Sequence, residues 1–119
     1  MIIFDSNILI YLSKGVLSVE TLFDENETYA ISVITYMEVL GYKFKSSQEA
    51  LFTKEVLSYF EVIYVDSKIA EEVVLLRKKY QVKLPDAIIC ASSIVNNATL
   101  YTNDIRLKVI NELQIKQFS

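Results

Sequence analysis

Four acidic residues stand beside apolar stretches of this chain and could together carry out metal-ion chemistry. Asp5 directly follows "MIIF", Glu38 lies within "TYMEVLGYKF", Asp86 opens "PDAIICASSIVNNA", and Asp104 comes two residues after "TLYT". An ionised carboxylate is costly beside buried apolar surface, and carboxylates close together raise one another's pKa unless a cation lies among them. Because hard divalent cations prefer oxygen ligands, the set predicts a site for Mg²⁺ or Mn²⁺.

Each acid, taken alone, also has an ordinary structural explanation. Asp5 and Asp104 could cap helices, and Thr35 with Glu38 matches a capping box in the first turn of a helix. Asp86 could be a first-turn acid that the helix dipole favours, an effect of about 1 kcal/mol or less. These alternatives stay open for the single residues.

The four acids considered as a set favour the metal interpretation. Asp86 heads a stripe on a helix without an evident charged face, formed by Ile89, Cys90, Ser93 and Ile94. The other three acids follow predicted strands, and ligands of open parallel sheets bind outside the carboxyl ends of the strands. Since four ionised caps converging on one sheet edge would repel one another, a cation between them is expected.

Residue types that are absent narrow the possible chemistry. The 119 residues include no His and a single Cys, which excludes histidine general bases, histidine or thiolate zinc cages and an internal disulfide. The two glycines cannot form a P-loop or a dinucleotide fingerprint. An enzyme of this composition must therefore use carboxylates, hydroxyls, amides, Lys, Tyr or a bound metal.

Short apolar runs alternate with helical patterns, which is typical of a parallel sheet covered on both faces. We therefore predict one domain over residues 1–119, an α/β protein with a three-layer α/β/α fold and a central parallel sheet of about five strands. The predicted strands are residues 1–4, 29–34, 62–65, 99–102 and 113–118. The predicted helices are residues 7–14, 16–25, 35–44, 48–60, 67–80, 85–98 and 104–112. We expect the helix over 48–60 to bury Ala50, Leu51, Val56, Leu57 and Phe60.

The cellular location is expected to be cytoplasmic, without contact to a membrane. No uncharged apolar tract approaches the roughly 18 residues of a membrane span. The start "MIIFDSN" also lacks the basic region of a signal peptide.

The segments around the four acids resemble the motifs of the PIN domain, a metal-dependent nuclease fold. "FDSNILIYL" resembles the opening strand and first acid of that family, "YMEVLGY" the second acid within a helix, "LPDAIICASSI" the third motif and "LYTND" the fourth. The order and spacing fit over essentially the whole chain, and relatives carry Asn or Asp at the fourth position. Within the family, members of this size are most similar to VapC-type toxins of toxin–antitoxin pairs.

The resemblance implies a five-stranded parallel sheet, Mg²⁺ or Mn²⁺ as cofactor, endoribonuclease activity on RNA, a homodimer and a neutralising antitoxin partner. Carried over by position, Asp5, Asp86 and Asp104 would ligate metal, and Glu38 would bind a second ion or hold a metal-bound water. Together the four would catalyse in-line hydrolysis of a phosphodiester bond.

Three polar residues next to these acids could orient the carboxylates through hydrogen bonds, namely Ser6, Thr102 and Asn103. Local hydrogen bonding within turns stays open as the alternative for each of them.

The formal net charge of −3 argues, by itself, against a nucleic-acid partner. Without the four site acids, however, 12 basic residues face 15 − 4 = 11 acidic ones, and two divalent ions would add positive charge where phosphates bind. The candidate RNA contacts are Lys14, Lys43, Lys79, Lys83 and Arg106. Several of these cations lie at helix C-termini, where the helix dipole also favours them, so that explanation stays open.

Two alternatives from other functional classes remain. The first is a non-catalytic PIN-like module that binds RNA or protein and keeps the acids as caps or around a structural ion. The second is a phosphohydrolase with Asp5 as nucleophile at the end of the first strand. Asn7, rather than a second Asp, stands two residues after Asp5 and weakens this alternative.

Overall fold

The computed structural model describes residues 1–118 and contains a central sheet of five parallel strands in that range. The strands are β1 (Ile2–Phe4), β2 (Tyr29–Ser32), β3 (Glu61–Ile63), β4 (Thr99–Tyr101) and β5 (Gln114–Lys116). Their order in the sheet is β3-β2-β1-β4-β5, so β1 lies at the centre between β2 and β4. All carboxyl ends therefore meet at one edge of the sheet, as the sequence predicts for this fold class.

Helices connect the strands and cover the sheet. They are α1 (Ser6–Ser13), α2 (Val19–Leu22), α3 (Val33–Leu40), α4 (Ser47–Leu57), α5 (Ser67–Lys79) and α6 (Leu84–Val95), followed by the 3₁₀ segment Ile105–Val109. Serine and aspartate side chains accept hydrogen bonds from the first backbone N–H groups of most of these helices. The start of α6 differs, because Pro85 lies in its first turn and no side chain caps it.

Successive side chains of the strands pack alternately into two separate cores, one on each face of the sheet. Ile2 and Phe4 of β1 pack with α1, α2 and α4, whereas Ile3 between them packs with α5 and α6. This alternation is the period-2 geometry of a strand whose two faces are both buried. The predicted three-layer α/β/α architecture is confirmed.

The boundary between β2 and α3 differs from the prediction. The strand was expected to run to residue 34 because Val33 and Ile34 are β-branched, but the strand ends at Ser32 and the helix begins at Val33. The Ser32 side chain accepts a hydrogen bond from the Ile34 N–H at 3.1 Å and starts the helix there. Glu38 therefore lies in the second turn of α3, and the predicted capping box with Thr35 does not exist.

The buried face of α4 also differs from the prediction. Val56 and Leu57 are buried as expected, together with Thr53, but Leu51 is 67% exposed and Ala50 faces solvent. Phe52 is 38% exposed as well. The helix thus presents an apolar surface away from the sheet.

The C-terminal third of the chain follows the predicted order with shorter elements. Helix α6 ends at Val95, three residues early, because Asn97 adopts a left-handed conformation with φ of 51°. The predicted helix over 104–112 is a 3₁₀ segment of five residues. Within residues 1–118, none of the helices combines the length and apolar character that crossing a bilayer requires.

Phe4 should be among the residues on which folding depends most. Its ring is fully buried and contacts the rings of Phe23, Tyr29, Phe60 and Tyr101 at centroid distances of 4.9–5.8 Å. Phe4→Ala should lower the free energy of unfolding by about 3–5 kcal/mol, measured by urea denaturation. The control Tyr59→Ala removes an exposed ring and should cost less than about 0.5 kcal/mol. Equal losses in the two variants would contradict the described core.

Candidate active site

Asp5 and Thr102 lie side by side where the central strands β1 and β4 end. The Asp5 N–H donates to the Tyr101 carbonyl at 2.9 Å, which continues the pairing of the two strands. The Thr102 hydroxyl donates to Asp5 Oδ2 at 2.6 Å, and the Ser6 N–H donates to Asp5 Oδ1 at 2.7 Å. Asp5 is only 6% exposed, so its carboxylate is fixed by these donors at the carboxyl edge of the sheet.

Asn7 is a further polar contact of Asp5 that sequence reasoning missed. Its Nδ2 donates to Asp5 Oδ2 at 3.3 Å and lies 3.4 Å from the Thr102 hydroxyl, while its Oδ1 accepts from the Asn103 N–H. The side chain thus bridges the segments after β1 and β4. The available signal was the position of Asn7, a short polar side chain two residues after an acid that follows a strand.

Glu38 reaches the site from α3, which packs against α1. The Ser6 hydroxyl donates to Glu38 Oε1 at 2.6 Å and also lies 3.4 Å from the hydroxyl of Thr35, which is buried. Ser6 therefore contacts Asp5 through its backbone and Glu38 through its side chain. These contacts place Glu38, in the second turn of its helix, next to the end of β1.

Asp104 follows β4 and caps the 3₁₀ segment. Its N–H donates to the Thr102 hydroxyl at 3.0 Å. The hydroxyl that donates to the Asp5 carboxylate therefore also accepts from the backbone of Asp104. Both carboxylate oxygens of Asp104 accept from Arg106: Oδ1 from Nε at 2.9 Å and Oδ2 from Nη2 at 2.7 Å. Arg106 consequently lowers the pKa of Asp104.

Asp86 lies in the first turn of α6, half-buried, as the acid at the opening of that helix. A small cavity of about 120 Å³ adjoins it, and Lys83 and Arg106 line the same cavity. Burial raises the pKa of Asp86, and the negative charge of Asp104 raises it further, whereas Arg106 and Lys83 act in the opposite direction.

Charges of neighbouring acids act on two of the aspartates, Asp5 and Asp86. Burial is the main cause that raises the pKa of Asp5, and the charges of Asp86 and Glu38 add to it. Hydrogen bonds from Thr102 and Ser6 oppose the rise only in part. Cys90, buried in α6, has its pKa raised to about 12 by burial and by these aspartates, so it stays a neutral core thiol.

The donor set consists entirely of oxygens and suits Mg²⁺ or Mn²⁺ in chemical type. A buried carboxylate flanked by two others is also the electrostatic situation that a cation relieves. Among residues 1–118, however, no three acidic, His or Cys side chains are grouped tightly enough to hold an ion together. Asp104 in particular is engaged by Arg106 through both carboxylate oxygens.

Asn103 does not orient a carboxylate, in contrast to Ser6 and Thr102. Its side-chain Oδ1 accepts from the Phe118 N–H at 2.8 Å and holds the segment after β5. The sequence could not distinguish this contact from a contact to an acid, because both begin from a polar residue just after a strand.

The five candidate RNA contacts are distributed unevenly around the acids. Lys83 and Arg106 line the cavity at Asp86. Lys79 is paired with Glu112 at 3.1 Å, and Lys14 lies 5.5 Å from the centre of the Tyr42 ring, at the end of α1 remote from Asp5. Lys43 is exposed in the loop after α3. Only Lys83 and Arg106 therefore combine positive charge with proximity to the acids.

A family model described as PIN domain matches residues 2–113. Among solved structures, a chain of VapBC2 from Rickettsia felis bound to a promoter DNA fragment is 27% identical over the full length of both chains, with a TM-score of 0.84. A chain of a toxin–antitoxin complex from Klebsiella pneumoniae is 35% identical over 95% of each chain, with a TM-score of 0.75. DNA-bound VapBC from Salmonella typhimurium shares the fold, with a TM-score of 0.83 at 22% identity over 98% of this chain and 96% of the other. The comparison with curated proteins gives no match.

The raised pKa of Asp5 predicts a pH dependence of stability in the absence of divalent ions. Asp5 holds its proton more tightly in the folded than in the unfolded chain, so the stability it contributes is present below the unfolded pKa and is lost as pH rises through the folded pKa. Relative to wild type, Asp5→Asn should therefore gain stability between about pH 3 and pH 7. The gain should be about 1.4 kcal/mol for each pH unit that separates the two pKa values.

Urea denaturation of both proteins across this pH range measures the effect. The control Glu71→Gln alters an exposed carboxylate on α5 and should change the free energy of unfolding by less than about 0.5 kcal/mol throughout. A constant difference between Asp5→Asn and wild type at every pH would contradict the assignment of Asp5 as a desolvated carboxyl.

Proposed function

The chain belongs to the PIN domain family, and on that premise we propose that it is a metal-dependent endoribonuclease and the toxin of a toxin–antitoxin pair. The observation that carries the proposal is the position of Asp5. This carboxylate is buried at the end of the central strand, fixed by Thr102 and Ser6, and lies within electrostatic reach of Asp86 and Glu38. A desolvated acid among other acids is a typical feature of a cation site.

A bound divalent cation supplies an acidified water and charge stabilisation in phosphodiester hydrolysis. We assign Asp5, Asp86 and Asp104 as the residues that would hold it, with Glu38 at a second ion or at the attacking water. The remaining groups position these acids. Thr102 and Asn7 fix the orientation of the Asp5 carboxylate, and the Ser6 hydroxyl fixes Glu38.

RNA is the proposed substrate, and Lys83 is the free cation best placed to contact its backbone. Lys83 is exposed, precedes α6 directly and lines the cavity that also contains Asp86. Phosphate contacts of this kind position a nucleic acid without specifying its sequence. The acidic side chains elsewhere do not oppose this contact strongly, because exposed charges farther away than about 10 Å are screened by salt.

The alternative phosphohydrolase with Asp5 as nucleophile is disfavoured by the contacts of that carboxylate. Both of its oxygens accept hydrogen bonds, from Ser6 at one and from Thr102 and Asn7 at the other. A non-catalytic PIN-like module is the second candidate, and the ion pair between Asp104 and Arg106 favours it, since that pair occupies one of the four acids. A cleavage assay separates it from the nuclease.

An antitoxin is the proposed protein partner, because the similar chains from Rickettsia felis and Klebsiella pneumoniae come from toxin–antitoxin complexes. An open apolar groove between α2 and α4 fits such a partner, with Val19, Phe23, Phe52 and Tyr59 in its lining. Its other lining residues include four acids, Asp24, Glu25, Glu27 and Glu55. The groove therefore suits an apolar antitoxin segment flanked by Lys or Arg.

A homodimer is proposed as well, and α3 offers a surface for it. Tyr36, Met37 and Leu40 are exposed on that helix, on either side of Glu38 in sequence. Exposed apolar side chains clustered on one helix are typical of protein interfaces. Dimerisation there would place the site acid Glu38 close to the interface.

Asp5→Asn should abolish Mg²⁺- or Mn²⁺-dependent cleavage of RNA, with activity reduced by about a hundredfold or more, because the variant removes a charged ligand from the centre of the site. Electrophoresis of a labelled total-RNA substrate, with and without EDTA, measures cleavage. Glu71→Gln should retain wild-type activity. The metal mechanism would be rejected if wild type still cleaves RNA in EDTA, or if Asp5→Asn cleaves RNA at the wild-type rate. If wild type cleaves no RNA in the presence of Mn²⁺, the non-catalytic binding module is favoured.

Phe52→Glu should weaken binding of the proposed antitoxin, taken from the neighbouring reading frame, by about tenfold or more, because it adds a fifth negative charge and removes an apolar contact from the groove. Isothermal titration calorimetry measures the affinity. The matched control Leu75→Glu adds the same charge at an exposed leucine of α5, on the other face of the sheet, and should leave it unchanged. Equal affinities of the two variants would place the antitoxin elsewhere.

A further inference from the structure

Arg106 forms an ion pair within the candidate site, and its partner, Asp104, is one of the proposed metal ligands. Its Nε and Nη2 donate to the two oxygens of Asp104 at 2.9 and 2.7 Å, and its backbone N–H donates to Asp104 Oδ1 at 3.0 Å. Such two-pronged contacts between guanidinium and carboxylate are the most directional ion pairs in proteins. Arg106 therefore engages both oxygens of Asp104 and occupies three of the roughly four acceptor positions of that carboxylate.

The two partners differ in their exposure to solvent. The Asp104 side chain is 15% exposed, whereas that of Arg106 is 70% exposed. The Asp104 carboxylate is thus largely shielded from solvent, whereas the guanidinium that pairs with it is open to solvent. An exposed arginine can leave its partner at small cost, because water solvates the released guanidinium.

Released from Asp104, Arg106 would still lie beside the site. Arg106 and Lys83 both line the cavity at Asp86, and both lower the pKa of Asp86 through their charge. A guanidinium binds phosphate oxygens with the same fork that it uses for a carboxylate. The residue therefore has two possible partners at one place, Asp104 and a phosphate of RNA.

We propose that Arg106 is an internal competitor of the divalent cation for Asp104, so that cation binding requires the guanidinium to leave that carboxylate. This inference rests on the proposed metal-dependent function and adds a control of the same site. Any ligand that draws the guanidinium away, such as an RNA phosphate, strengthens cation binding. By reciprocity, a bound cation frees Arg106 for phosphate.

The test is the affinity for Mn²⁺ alone, without RNA, measured from the free-ion signal in electron paramagnetic resonance. Arg106→Gln should bind Mn²⁺ about three- to tenfold more tightly than wild type, since it removes the competing donors. Arg106→Lys keeps the positive charge but cannot donate to both carboxylate oxygens in the same way. Its affinity for Mn²⁺ should therefore lie between those of wild type and Arg106→Gln. Arg106 is exposed, and unchanged thermal unfolding of each variant checks that folding is intact.

Two comparisons separate competition at Asp104 from a general effect of positive charge. Lys83→Gln removes a cation near Asp86 that does not pair with Asp104, and it should raise the affinity less than Arg106→Gln does. In the Asp104→Asn background, Arg106→Gln should raise the affinity no more than Lys83→Gln does, because only the effect of its charge on Asp86 remains. A gain of full size in this background, or a gain from Lys83→Gln equal to that from Arg106→Gln in the wild-type background, would overturn the proposal.

The outcome also distinguishes this inference from the proposed function. If wild type binds Mn²⁺, Asp5→Asn does not, and Arg106→Gln equals wild type, the metal site stands and the competition is rejected. If neither wild type nor Arg106→Gln binds Mn²⁺, both proposals are rejected.

Discussion

The hydrogen bond from the Thr102 hydroxyl to the buried Asp5 carboxylate is the interaction on which the candidate site depends. It joins the ends of β1 and β4 beside the only acidic residue that is buried within residues 1–118. The same hydroxyl accepts from the Asp104 N–H, so a single threonine contacts the carboxylate of one acid and the backbone of another. Burial of the Asp5 carboxylate lowers the stability of the folded chain. This destabilised group lies at the edge of the sheet where ligands of parallel α/β folds bind.

The rest of the architecture serves to hold that edge. Two cores, one on each face of the sheet, fix β1 from both sides, because Phe4 belongs to one core and Ile3 to the other. Helices α1 and α3 begin where β1 and β2 end and bring Ser6 and Glu38 to the edge, whereas α6 follows α5 and brings Asp86 from its first turn. A rigid scaffold thus presents carboxylates whose mutual repulsion the protein relieves only in part, through hydrogen bonds to Asp5 and through the positive charges of Arg106 and Lys83.

Much of the fold followed from the sequence, since apolar runs that alternate with helical patterns have few arrangements besides a covered parallel sheet. The predicted PIN membership and the five-stranded α/β/α architecture are confirmed. The predicted start of α3 was wrong because Val33 and Ile34 are β-branched and favour a strand. The boundary is instead determined by one capping residue, Ser32. The exposure of Leu51 was not predictable, because periodicity defines an apolar face and not the neighbour that covers it.

The same limits apply within the site. Parallel topology alone places acids that follow strands at one edge, so their proximity could be predicted without coordinates. The partner of each polar side chain could not: Asn7 contacts Asp5, Asn103 contacts Phe118, and Arg106 contacts Asp104 only because the 3₁₀ turn brings residues two apart together. These choices depend on side-chain directions in short turns, which spacing in the sequence does not specify.

The central claim is that the acids around Asp5 form a cation site, and a crystal grown with Mn²⁺ tests it most directly. The account predicts an anomalous scattering peak about 2.1–2.2 Å from an Asp5 carboxylate oxygen, shared with Asp86. A map in which Mn²⁺ occupies other positions while the Asp5 carboxylate contacts only Thr102, Ser6 and Asn7 would contradict it.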